Sequence, residues 1–93
     1  MKPVTLTSDS IIVFGGSGFL GAELLRELDD RGHRDVTIFG RDEGKLIEAK
    51  QQYPYLNIIT GDISDKFEVY QAMKGKDCVF HLAAFKHVGL AQT

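Results

Sequence analysis

Apolar positions along this chain fall into four short runs, at residues 11–14 (IIVF), 36–39 (VTIF), 56–60 (LNIIT) and 77–84 (DCVFHLAA). The first is continuous and stopped by glycine, which predicts a strand buried on both faces. The second, rich in β-branched and aromatic residues and ended by Gly40, and the two later runs also read as strands. Between the runs the apolar spacing changes. From Phe19 onward, Leu20, Leu24, Leu25 and Leu28 recur at helical intervals with Glu23, Arg26, Glu27 and Arg31 opposite them, and Gly32 follows as a stop. Asp42 can cap a second helix running to Gln52, with Leu46, Ile47 and the stem of Lys50 inward, before Pro54 blocks continuation. Asp65 and Glu68 form a capping-box pair that opens a third helix, closed by Gly75.

Strands alternating with helices through short connections predict an α/β fold with right-handed crossovers. The expected architecture is a Rossmann-type parallel sheet of four strands in the order 3-2-1-4 with three helices, a doubly wound fold left incomplete after the fourth strand. Residues 1–10 read as a polar leader and 11–93 as one dinucleotide-binding domain.

Composition narrows the function classes. A chain of 93 residues with 43% hydrophobic and 26% charged residues is a folded domain rather than a disordered tail. A net charge of -2 with dispersed lysines and arginines argues against nucleic acid as a partner. The leader lacks the apolar core of a signal peptide and no run approaches a membrane span, so a cytoplasmic protein is expected. Cys78, the single cysteine, has no intrachain disulfide partner, and its neighbours Val79 and Phe80 suggest a buried strand position.

Candidate chemistry begins at the end of the first strand. Gly15, Gly16, Gly18 and Gly21 satisfy two overlapping patterns, Gly-x-Gly-x-x-Gly and Gly-x-x-Gly-x-x-Gly, between a strand and a helix. One glycine makes the turn, one lets a pyrophosphate reach the backbone, and one lets the helix pack closely on the sheet. An ordinary tight strand-to-helix turn is the alternative. At the end of the second strand, where an acidic residue would receive the ribose hydroxyls of NAD, stand Gly40 and then Arg41, with Lys45 four positions on. A guanidinium pairs with a 2′-phosphate, so NADP is favoured over NAD unless both cations are simply solvated.

Asp62, past the third strand, can accept from an adenine amino group with Ile63 nearby, or can help Ser64 start the next helix. Small residues after His81 leave room for a ribose at the fourth strand, and His81 itself reads as a buried structural histidine. His33 and His87 carry no signal, and no metal-ligand spacing connects the three.

These motifs resemble the extended short-chain dehydrogenase/reductase superfamily through GGSGFLG, GDI and HLAA. Within it, DVTIFGRDEGKL and HLAAFKHV resemble the polysaccharide-biosynthesis branch of UDP-N-acetylglucosamine 4,6-dehydratases, in its N-terminal part. The resemblance implies that Ser17, Gly18, Phe19 and Leu20 line the pyrophosphate, flanked by Gly15 and Gly21. It implies Arg41, Asp42, Glu43 and Lys45 around the 2′-phosphate, and Asp62 and Ile63 at the adenine. It also implies Leu82 and Ala83 against the cofactor, and Lys86 toward a nucleotide sugar such as UDP-N-acetylglucosamine. Gly40 stands where such proteins often carry serine, and Gly44 where they carry a bulkier residue.

Enzymes of that type oxidise C4 of the sugar, eliminate water across C5 and C6, and return the hydride at C6. They use a tyrosine activated by a lysine one helical turn away, on a helix after the fourth strand. Tyr70 and Lys74 have that spacing but precede the fourth strand, so no catalytic residue is assigned. The expectation is an inactive cofactor-binding portion, prone to self-association or to docking with a C-terminal part. A small self-standing nucleotide-binding or interaction module is the alternative.

Overall fold

The computed structural model describes residues 8–15 and 18–82, apart from the side chain of Phe19. Its elements are β1 (Ile11–Phe14), α1 (Phe19–Asp30), β2 (Val36–Gly40), α2 (Glu43–Gln52), β3 (Asn57–Thr60), α3 (Lys66–Met73) and β4 (Cys78–His81). All strand pairs are parallel and the order is β3-β2-β1-β4, as the alternation predicted. The expected reach of the last strand to residue 84 shortens to His81 within the described residues.

The register explains why β1 is the centre. Phe14 pairs with Phe39 of β2 on one side and His81 of β4 on the other, and every β1 side chain is fully buried. Ile11 and Val13 face α1 and α2, packing with Leu25, Leu28, Leu46 and Leu56. Ile12 and Phe14 face α3 through Phe39 and Ala72, with Ile59, Ile63 and Val69 alongside. Helices therefore cover both faces, as right-handed crossovers to either side of β1 require.

The helix boundaries follow their local chemistry. Gly32 at φ 88° ends α1 in the left-handed region, with its amide on the Asp29 carbonyl and the His33 amide on that of Leu28. The Asp42 carboxylate accepts from the Lys45 amide at 3.2 Å and caps α2. Lys50 closes the other end of that helix by donating to the carbonyls of Pro54 and Leu56.

Four side chains are less buried than expected. Leu20 and Ile47 are 53% and 42% exposed, and on α2 it is Leu46 that fills the inward position. His81 is exposed too, stacked on Phe14 at 5.2 Å, since α3 covers β1 and β2 rather than β4 on that face. Cys78 is half-buried, where a buried position was expected, and packs with Phe80 toward the α1 side while Val79 is exposed.

Candidate nucleotide-binding edge

The parallel register brings the carboxyl ends of all four strands to one edge, where open α/β sheets bind ligands. Three glycines at this edge meet different physical demands. Gly15 continues the β1–β2 ladder through its amide to the Phe39 carbonyl at 3.0 Å, then turns out of the sheet at φ 85°. That conformation favours glycine. Gly21 is buried.

Gly18 is under neither constraint. It is the N-cap of α1 with φ -89° and ψ -173°, ordinary extended backbone. Among the described residues a Cβ there would meet nothing within 4 Å and no side chain caps the helix. The start of α1 thus offers uncapped amides beside open space, a fit for a diphosphate at the helix N-terminus. Leu20 lies exposed in the first turn of the same end. Gly16, Ser17, Ala83, Lys86 and His87 lie outside the described residues, as do most of the leader and the side chain of Phe19.

At the next strand end, Arg41 follows Gly40 directly and is exposed, as is Lys45 in the first turn of α2. Arg26, Arg31 and Arg34 each pair with an acid on α1, namely Glu23, Glu27 and Asp29. Among the described residues Arg41 alone of the arginines has no ion pair. Asp42 and Glu43, expected beside it, occupy the N-cap and first turn of α2, where carboxylates complement the helix dipole. At Gly40 a Cβ would meet Leu46 at 3.5 Å, an ordinary contact, so serine would also fit there.

The Gly61 amide donates to the Gly40 carbonyl at 2.8 Å, setting Arg41 and Asp62 on neighbouring strand ends. Asp62 Oδ1 accepts from the amide and the hydroxyl of Ser64, at 2.9 and 2.7 Å. These bonds, the amide first, hold its carboxyl below the ordinary range, and the positive charge of Arg41 adds to the effect. Asp62 therefore shapes the turn and also presents a charged carboxylate. Ile63 and Leu82 sit at the same edge but against opposite faces of the sheet, one with the α3 cluster and one with the α1 cluster.

Sequence reasoning missed two contributors. Gly61 is favoured by packing, because a Cβ there would come within 2.6 Å of the Phe39 ring and force it to shift. Glu68 departs from the expected capping box: Asp65 caps α3 as anticipated, accepting from Phe67 and Glu68 amides, but the Glu68 carboxylate reaches the Asp62 amide at 2.9 Å. The Tyr70–Lys74 pair is an exposed surface contact, the ammonium lying 5.4 Å from the ring centroid. Among the described residues no cluster of acids, histidines or cysteine could hold a metal, and no helix is long and apolar enough to cross a membrane.

Comparison with known proteins places this edge in a family. Residues 11–93 match the family model described as "Polysaccharide biosynthesis protein". The chain is 40% identical over 86 residues to a 3-beta-hydroxysteroid dehydrogenase of Mycolicibacterium neoaurum, covering 90% of this chain and 22% of that protein. It is 33% identical over 86 residues to the UDP-N-acetylglucosamine 4,6-dehydratase (inverting) of Campylobacter jejuni, covering 89% of this chain and 26% of that one. Pen from Bacillus thuringiensis has the same fold, with a TM-score of 0.75 and 27% identity over 90% of this chain and 27% of that structure. The chain thus spans about a quarter of the length of these relatives, matching their N-terminal part. With its glycine-rich turn, parallel order and matched family model, this chain belongs to the polysaccharide biosynthesis protein family of short-chain dehydrogenase/reductase-like proteins.

Proposed function

We propose that the chain is the NADP-binding portion of a nucleotide-sugar 4,6-dehydratase-like protein, inactive by itself. The observation that carries the cofactor choice is Arg41. It is exposed at the end of β2, it carries no ion pair among the described residues, and Gly40 stands where NAD-selective chains place an acid. A guanidinium there complements a 2′-phosphate, and Lys45 adds a second charge.

In this reading Ser17, Gly18, Phe19 and Leu20 receive the pyrophosphate, between the turn at Gly15 and the helix contact at Gly21. Asp42 and Glu43 border the 2′-phosphate site from the first turn of α2. Asp62 accepts from the adenine amino group and Ile63 walls the base, while Leu82 and Ala83 lie along the ribose and Lys86 reaches toward the sugar. When bound, the cofactor supplies hydride acceptance and return. The chain's own residues bind and orient it, and none of them is assigned a proton-transfer role.

UDP-N-acetylglucosamine or a related nucleotide sugar is the proposed substrate of the whole protein, supported by the family match and by the Campylobacter dehydratase. The 40% identity to a hydroxysteroid dehydrogenase favours a second reading, a steroid alcohol as substrate. The exposed apolar side chains of Phe67, Tyr70 and Val79 support association with another protein surface, in a cytoplasmic setting.

Calorimetric titration of the purified chain with NADP and NAD tests the cofactor reading. NADP should bind about ten- to a hundredfold more tightly, and Arg41→Ala should remove that preference, the loss of a charge-assisted contact costing about 1.5–3 kcal/mol. Equal affinities, or a preference that survives the substitution, would refute it.

A further inference from the structure

A capping box ends with its N3 glutamate on the N-cap amide, which for α3 would be Glu68 on Asp65. Here the Asp65 amide is already taken by the Asp62 carbonyl at 2.9 Å. Glu68 goes further back and accepts from the Asp62 amide, also at 2.9 Å. The approach depends on Gly61, where a Cβ would lie 2.9 Å from the same carboxylate oxygen. The turn between β3 and α3 is therefore tied from two directions: Glu68 holds its backbone, and Ser64 holds Oδ1 of the Asp62 side chain. Among the described residues Oδ2 of Asp62 has no protein hydrogen bond, so one carboxylate oxygen remains to accept from a ligand.

We propose that Glu68 is a positioning residue for base recognition: its carboxylate fixes the Asp62 amide, and with it the direction in which the Asp62 carboxylate meets an adenine amino group. The inference rests on the cofactor reading above and adds a residue that does not itself touch the ligand. The capping of α3 does not require Glu68, since Asp65 accepts from two first-turn amides, those of Phe67 and Glu68. Removing the Glu68 acceptor should loosen the turn while leaving the helix. A glutamine, whose amide oxygen still accepts, should serve nearly as well.

The test is calorimetric titration of the purified chain with NADP and with its hypoxanthine analogue, which lacks the amino group and presents an oxygen to Asp62. The unsubstituted chain and Glu68→Gln should both prefer adenine by about tenfold, the worth of one charge-assisted hydrogen bond. In Glu68→Ala and Glu68→Met, the second of which keeps the aliphatic stem, the preference should fall to about twofold or less with the helical circular dichroism retained. A folded Ala or Met variant that keeps the full preference overturns the positioning role. So does loss of fold in both, which would make Glu68 a determinant of the fold instead. If the unsubstituted chain binds NADP without preferring adenine, the assignment of Asp62 fails and takes Glu68 with it. If it binds no NADP at all, the cofactor reading itself is at fault.

Discussion

Valine at position 18 separates the demands of the fold from those of a ligand. On the fold side the change is mild. The φ of -89° and ψ of -173° suit a β-branched residue, and the new Cβ meets nothing within 4 Å among the described residues. Replacing glycine restricts the unfolded chain, a gain of about 0.4–1 kcal/mol, whereas valine is a poorer N-cap by about 0.5–1 kcal/mol. These nearly cancel, so the thermal midpoint should move by no more than about 4–8 °C, the equivalent of about 1 kcal/mol for a domain of this size.

On the ligand side the change is severe. The branched side chain fills the approach to the first amides of α1, and losing two charge-assisted bonds from a pyrophosphate costs about 3–6 kcal/mol. That is about a hundredfold to ten-thousandfold in affinity. Thermal melts followed by circular dichroism, beside calorimetric titration with NADP, measure the two sides independently. Retained affinity within about threefold would refute the ligand argument, using the same conversion. Global unfolding would show that Gly18 is required for packing after all.

Two further outcomes test the edge and the core behind it. Gly61→Ala should destabilise the chain by about 1–3 kcal/mol, because a Cβ within 2.6 Å of the buried Phe39 ring forces it to move, and chemical denaturation reads the loss. Tyr55, whose hydroxyl donates to Asp29 at 2.9 Å, has its pKa pushed up from 10.0 to about 12, first by burial and then by that hydrogen bond. Because the folded value lies above the unfolded one, the stabilisation is complete below about pH 10 and disappears as pH rises through about 12; Tyr55→Phe should flatten this part of an alkaline unfolding curve relative to the parent.

The sheet was legible because burial on both faces leaves a signal that needs no tertiary knowledge. Residues 11–14 and 36–39 admit no polar side chain except Thr37, and a run of that kind with a glycine stop leaves few choices besides a central strand. Helix faces were legible where side chains from two elements converge, as at Leu25, Leu28 and Leu46, and not where cover depends on what lies across. Leu20 and Ile47 have the right spacing but no opposing surface, and spacing alone assigns a face without assigning a neighbour. His81 was misread for a related reason. Its sequence neighbours are apolar, yet its face of β4 is outside the span of α3.

Glu68 exposes a subtler limit. The capping-box rule located the right carboxylate on the right turn and then assigned it the wrong amide. The competition for the Asp65 amide is settled by the Asp62 carbonyl, whose position depends on Gly61 lying against Phe39 of another strand. Local rules omit a competitor that a tertiary contact delivers.

At most positions the fold accounts for the residue found there: Gly15 by its φ of 85°, Gly61 by the Phe39 ring, Arg26, Arg31 and Arg34 by their acid partners on α1, and Asp42 and Asp65 by the amides they cap. A few positions along one edge are left over. Nothing among the described residues requires Gly18 to lack a side chain, engages Arg41 in an ion pair, or occupies Oδ2 of Asp62. Each follows the end of a different strand, so the parallel register that buries β1 also aligns these residues. In the proposed cofactor reading a bound dinucleotide accounts for all three at once, with a diphosphate at the first, a 2′-phosphate at the second and a base amino group at the third.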